Sequence, residues 1–122
     1  MKYYIIAGEA SGDLHGSNLI REILIRDNSA QIRGWGGGLM QEAGAEIVKD
    51  YRDLAFMGFV EVVKNLPTIF RNIKFCKEDI LAFKPGVLVL IDYPGFNMRI
   101  AGWAKQQGFK ICLLYTSPSP RD

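Results

Sequence analysis

Five consecutive apolar residues, Val87-Leu88-Val89-Leu90-Ile91, stand between Pro85-Gly86 on one side and Asp92-Tyr93-Pro94-Gly95 on the other. A strand with one wet face alternates apolar and polar residues. One that is apolar at every position is covered on both faces, as strands of parallel sheets are. The run therefore commits the chain to an α/β layer architecture, and it is expected to be the central strand.

The flanking sequence repeats a strand, loop and helix order. Lys2 to Ala7 is a short apolar run, followed by Leu14, Ile20, Ile23 and Leu24 at helical spacing, with Asp13 placed to cap that helix. Gln31 to Trp35 reads as a second strand, Leu39 to Ala43 as a short helix closed by Gly44, Glu46 to Val48 as a third strand, and Lys49 to Asp53 as loop. From Met57 to Phe83 the stripe Phe59, Val62, Val63, Leu66, Phe70, Ile73, Cys76 and Ile80 predicts two consecutive helices, with Pro67 in the first turn of the second. A helix over Asn97 to Gln107, ended by Gly108, and a strand over Phe109 to Tyr115 follow. Strands alternating with helices imply an open parallel sheet with flanking helices and right-handed crossovers. No internal repeat is present beyond this alternation.

At 122 residues the chain has room for one hydrophobic core, and not for two lobes with a cleft between them. Thr116 to Asp122 contains two prolines and no apolar periodicity where a crossover helix should begin. Residues 1–115 are thus expected to form one incomplete domain and 116–122 a non-native tail.

Fifteen Lys and Arg against thirteen Asp and Glu leave a net charge of +2, which argues against a general nucleic-acid binder. Cys76 and Cys112 lie far apart and the single His15 has no nearby His or Cys, so no disulfide framework, zinc site or other metal is expected; both thiols are expected buried and reduced. No apolar run approaches the ~18 residues of a membrane span, and the first run is interrupted at Gly8-Glu9 before it can act as a signal-peptide core. The expectation is a cytoplasmic protein.

In open parallel sheets ligands bind beyond the carboxyl ends of the strands, which draws attention to three loops. The first, Gly8-Glu9-Ala10-Ser11-Gly12-Asp13, is neither a Walker A loop nor a GxGxxG turn. Glu9 and Asp13 would repel a phosphate but could accept hydrogen bonds from sugar hydroxyls, with Ser11 beside them. The plainer alternative makes Asp13 a helix cap and leaves Glu9 solvated. The second loop, Gly34 to Gly38, strips side chains from a place facing the same crevice, as close approach of a ligand to Gly36 and Gly37 would require; a flexible turn explains it equally well. The third, Asp92 to Asn97, sets a carboxylate at the end of a buried strand, where withdrawal from water favours proton acceptance. Asp92 is the leading candidate base, with turn capping as its alternative.

Between Phe59 and Lys77 four cations, Lys64, Arg71, Lys74 and Lys77, face one carboxylate, Glu61, and are interleaved with Val60, Leu66, Ile69, Phe70 and Phe75. Such a segment can lie on an anionic membrane or be a core helix with a solvated basic face.

Four blocks, AGEASGDLHGSNL, GGGLMQEAG, MGFVEVVKNLP and IDYPGFNMRIA, together resemble the lipid-A-disaccharide synthase family over Lys2 to about Ser117. The resemblance implies the Rossmann-like amino-terminal half of a two-domain GT-B glycosyltransferase. Such an enzyme transfers 2,3-diacylglucosamine from UDP to the 6-hydroxyl of 2,3-diacylglucosamine 1-phosphate, with inversion; no cofactor is expected, since no ligand cluster stands in the sequence. The resemblance implies Asp92 as base, and Glu9, Ser11 and Asp13 as acceptor-binding or positioning residues, with Gly36, Gly37 and Asn97 also expected at the substrate. Lipid substrates tip the basic segment towards a contact with the cytoplasmic face of the inner membrane through Val60, Val63, Leu66, Ile69, Phe70, Lys64, Arg71 and Lys74. The tail departs from the family, and donor contacts are expected from a carboxyl-terminal domain, so the isolated chain is expected to be inactive. Two readings from other classes remain: a stand-alone nucleotide-binding module using the first loop for phosphate, and a non-catalytic membrane-surface protein.

Overall fold

The computed structural model describes residues 1–54, 66–92 and 94–114. Five parallel strands, β1 (Lys2–Ala7), β2 (Gln31–Gly36), β3 (Glu46–Asp50), β4 (Val87–Ile91) and β5 (Ile111–Leu114), form one sheet in the order β3-β2-β1-β4-β5. The helices are α1 (Ala10–Arg26), α2 (Gly38–Ala43), α3 (Leu66–Phe83) and α4 (Pro94–Gln106), with a 3-10 turn at Tyr51–Leu54. This is the open parallel α/β sheet, Rossmann-like in its strand order, that the sequence predicts.

The period-two alternation of β1 divides the core. Tyr4 and Ile6 face one layer, in which Trp35, Leu88 and Leu90 meet Ile73, Cys76 and Ile80 of α3 and Phe96, Ile100 and Ala104 of α4. Ile5 and Ala7 face the other, in which Ile32, Val89 and Ile91 meet Ile20 of α1 and Met40 of α2. Four of the five residues of β4 are buried, as an interior strand requires. It is not the middle strand, however. β1 holds that place, because the chain builds β2 and β3 on one side of β1 and then crosses to put β4 and β5 on the other.

Further differences concern ends and edges. α1 begins at Ala10, and the residue at its N-cap is Glu9, whose side chain makes no capping bond, so Asp13 does not cap its own helix. β3 runs on to Asp50, and a 3-10 turn stands where loop is expected. α4 begins at Pro94, three residues earlier than expected, with proline suited to a first turn. Pro67 lies in the first turn of α3 as expected, whereas the helix expected before it falls outside the described residues. β5 is an edge strand, and its Cys112 is exposed; only Cys76 is buried. The tail 116–122 also lies outside the described residues.

One polar unit ties α3 to the sheet. The Tyr4 hydroxyl donates to Asp79 Oδ2 at 2.7 Å and accepts from Trp35 Nε1 at 3.0 Å, while Arg33 donates to Asp79 Oδ1 at 2.6 Å. Burial pushes the Tyr4 phenol up, and the neighbouring Cys76 and Asp79 push in the same direction. Burial likewise pushes the Cys76 thiol up, with Asp79 adding to it and Lys77 opposing.

Candidate functional site

β2 and β4 flank β1 on opposite sides, and the loops after β1 and β4 lead to helices in opposite layers, α1 with Ile20 and α4 with Phe96, the arrangement at whose carboxyl edge open parallel sheets bind ligands. The pairing fixes their levels. Ala7 is matched with Ile91 and Ile6 with Trp35, so Gly8-Glu9, Gly36-Gly37 and Asp92 emerge from three adjacent strands at the same edge. The starts of all three loops are thus brought to one edge of the sheet.

Glu9 and Ser11 are exposed there, at the first turn of α1. That turn has no side-chain cap, and a main-chain bond runs from Asp13 N to the Glu9 carbonyl at 3.0 Å. The start of α1 therefore offers backbone donors, flanked by one carboxylate and one hydroxyl.

Asp13 is different. It is 3% exposed, and both oxygens are engaged: Oδ1 accepts from Gly37 N at 2.8 Å and Met40 N at 3.0 Å, and Oδ2 accepts from Leu39 N at 3.2 Å. It caps α2, whose own N-cap residue is a glycine. Asp13 thus locks the first loop to the second.

The bareness of the second loop is used by the chain itself. A Cβ on Gly36 would run into the Met40 thioether, and one on Gly37 would lie 2.5 Å from the Tyr51 ring and 2.8 Å from Asp13 Oδ2. At Gly37 the Tyr51 ring and Asp13 leave no room for a Cβ, and at Gly36 a Cβ would force the buried Met40 side chain to move, so neither position needs a ligand to account for it.

Asp92 is half-buried at the end of β4, with φ of +48°, a left-handed conformation that Asp tolerates better than most side chains. Its amide donates to the Leu114 carbonyl of β5 at 2.9 Å. Asn97 Nδ2 donates to the Asp92 carbonyl and, at 3.4 Å, to the Ile91 carbonyl.

The family description "Lipid-A-disaccharide synthetase" matches residues 3–120. The chain belongs to the lipid-A-disaccharide synthetase family. Among similar proteins are lipid-A-disaccharide synthases of Geobacter metallireducens, 46% identical over 93% of this chain, of Neisseria gonorrhoeae, 46% over 94%, and of Xanthomonas oryzae pv. oryzae, 41% over 97%. The match covers 29%, 29% and 27% of those relatives, so the chain spans under a third of their length.

The membrane-contact residues expected in this family member divide. Val60, Val63 and Lys64 lie outside the described residues, as does the side chain of Leu66. Ile69 packs partly against the core. Phe70 is 52% exposed with Arg99 over its ring, and Arg71, Lys74 and Phe75 are also exposed. No helix among the described residues is long and apolar enough to cross a membrane.

Sequence reasoning missed two features of the site region: the Asp13 cap on α2 and the Tyr51 ring over Gly37. A helix opening on three glycines with no cap of its own was a usable signal for the first. The Tyr4–Asp79 unit was missed as well, although a carboxylate on the stripe of Cys76 and Ile80 announces a buried partner.

Proposed function

We propose that this chain is part of the acceptor-side, Rossmann-like domain of an inverting glycosyltransferase of two such domains. The reaction moves 2,3-diacylglucosamine from UDP to the 6-hydroxyl of 2,3-diacylglucosamine 1-phosphate, giving lipid A disaccharide and UDP. The acceptor oxygen bonds to the anomeric carbon from the face opposite UDP, the bond from that carbon to the UDP oxygen breaks, and Asp92 takes the hydroxyl proton. Glu9 and Ser11 accept and exchange hydrogen bonds with acceptor hydroxyls. Asp13 and the backbone of Gly36 and Gly37 hold the rim on the far side of β1. Orienting two reactants in this way can lower a barrier by about 7–11 kcal/mol.

The observation that carries this reading is the pairing of Ala7 with Ile91, which supports a shared crevice for Glu9 and Asp92 at the point where the strand order reverses. The donor is assigned to a further domain, for which the much greater length of the relatives argues. The exposed Phe70, Arg71, Lys74 and Phe75 support a lipid-facing surface on the cytoplasmic side of the inner membrane.

The test is a chimaera in which residues 1–114 replace the matching segment of the Geobacter metallireducens relative. It is expected to form the disaccharide and release UDP, and Asp92→Asn is expected to lower kcat by about 10²–10⁴-fold. An inactive chimaera, or an Asp92→Asn variant with full turnover, overturns the reading.

A further inference from the structure

Asp92 is fixed by its main chain from two directions. Its N–H is held at 2.9 Å by the Leu114 carbonyl of β5, and its carbonyl accepts from Asn97 Nδ2 in the first turns of α4. Between these tethers φ is +48°, a left-handed value that Asp adopts more readily than most side chains but that still costs free energy relative to an extended or helical one.

Asn97 itself is 3% exposed. Its Nδ2 is committed to the carbonyls of Ile91 and Asp92. The opposite orientation of the amide would set an oxygen against two carbonyl oxygens, so the direction of the group follows from the bonds. Its Oδ1 is enclosed and has no hydrogen-bond partner among the described residues. A substrate hydroxyl therefore has no free donor to reach on Asn97, and its acceptor is shut away from solvent.

We infer that Asn97 is a positioning residue, which sets the direction of the Asp92 carboxylate by holding the turn between β4 and α4 and makes no contact with substrate. The inference rests on the proposed role of Asp92 as base.

The experiment is a double-mutant cycle in the same chimaera, with kcat and the acceptor KM measured for Asn97→Ala and Asn97→Leu in the native and Asp92→Asn backgrounds. Leu keeps the buried volume without a donor. With Asp92 present, each variant is expected to lose about 10²-fold in kcat, since small misplacement of a reacting group costs that much, while KM stays within about threefold. In the Asp92→Asn background the same changes are expected to cost less than about threefold, because there is no base left to misplace. Equal fractional losses in both backgrounds, a loss in KM alone, or failure of both Asn97 variants to fold would overturn the positioning role while leaving the base intact. Full activity of Asp92→Asn alone would instead sink the base assignment itself.

Discussion

Glu9 and Asp13 sit four residues apart at the start of one helix and have opposite surroundings. Asp13 has no water to lose on binding, since its oxygens already take three backbone N–H groups of the segment 37–40. Asp13→Ala would leave those donors buried without partners, which costs about 1–3 kcal/mol for such a group. Chemical denaturation of this chain is expected to report a loss of that size or somewhat more. Glu9 is exposed and makes no cap, so Glu9→Gln should change stability by less than about 0.5 kcal/mol. In the chimaera, however, Glu9→Gln should raise the acceptor KM, because a neutral amide is a weaker acceptor for sugar hydroxyls. A stable protein with unaltered KM would remove Glu9 from the site. The types of these residues were legible in the sequence, and their roles were not. A carboxylate at the start of a helical stripe looks like that helix's own cap, and nothing local reveals that the group it serves lies 24 to 27 residues further on.

At the scale of elements, α3 has two faces that can be tested separately. Its inner face carries Cys76 and Asp79, and the burial that raises Cys76 and Tyr4 makes the folded state hold protons that the unfolded chain releases. For such raised groups stability is complete below the unfolded pKa values, about 8.5 for a thiol and about 10 for a phenol, and declines as pH rises past them. The melting temperature is therefore expected to fall from about pH 8.5 upwards and more steeply above about pH 10. Tyr4→Phe should remove the steeper part, and an unchanged slope would contradict the burial of the phenol. The outer face carries Phe70, Arg71, Lys74 and Phe75. A cation near an anionic bilayer contributes about 1 kcal/mol, so Arg71→Gln with Lys74→Gln should lower partitioning onto anionic vesicles about 30-fold, read by flotation. Equal partitioning would make this the solvated face of a core helix. Elements of this kind were readable because apolar periodicity is set by burial. Val87 to Ile91 betrayed a doubly covered strand but not its place in the order, since β1 and β4 present the same apolar pattern and only the crossover distinguishes middle from neighbour. The exposure of Cys112 escaped for the same reason: apolar content says nothing about which strand ends at an edge.

Across the whole molecule, the strand order concentrates polar loops at one end of the sheet, and the question is which ligand charge that end accepts. The uncapped start of α1 favours an anion through its free N–H groups. Glu9, placed at that very position, opposes one, and at about 4 Å two like charges near a surface repel by about 4 kcal/mol. The helix-end attraction is typically about 0.3–1 kcal/mol, roughly a quarter of that repulsion at most. A diphosphate beside Glu9 should therefore be disfavoured and sugar hydroxyls tolerated there, which requires the 1-phosphate of the proposed acceptor to lie away from the first loop. Calorimetric titration of this chain with UDP is expected to give no saturable heat up to about 1 mM, the concentration at which a binding free energy of about −4 kcal/mol would show. Glu9→Gln should not by itself create strong binding, because no lysine or arginine stands in the first loop to replace the lost repulsion with attraction. Saturable UDP binding by the native chain, weakened by a bulky residue at Gly8 or Gly12, would favour a self-sufficient nucleotide-binding module instead. It would also move the donor into the crevice assigned here to the acceptor.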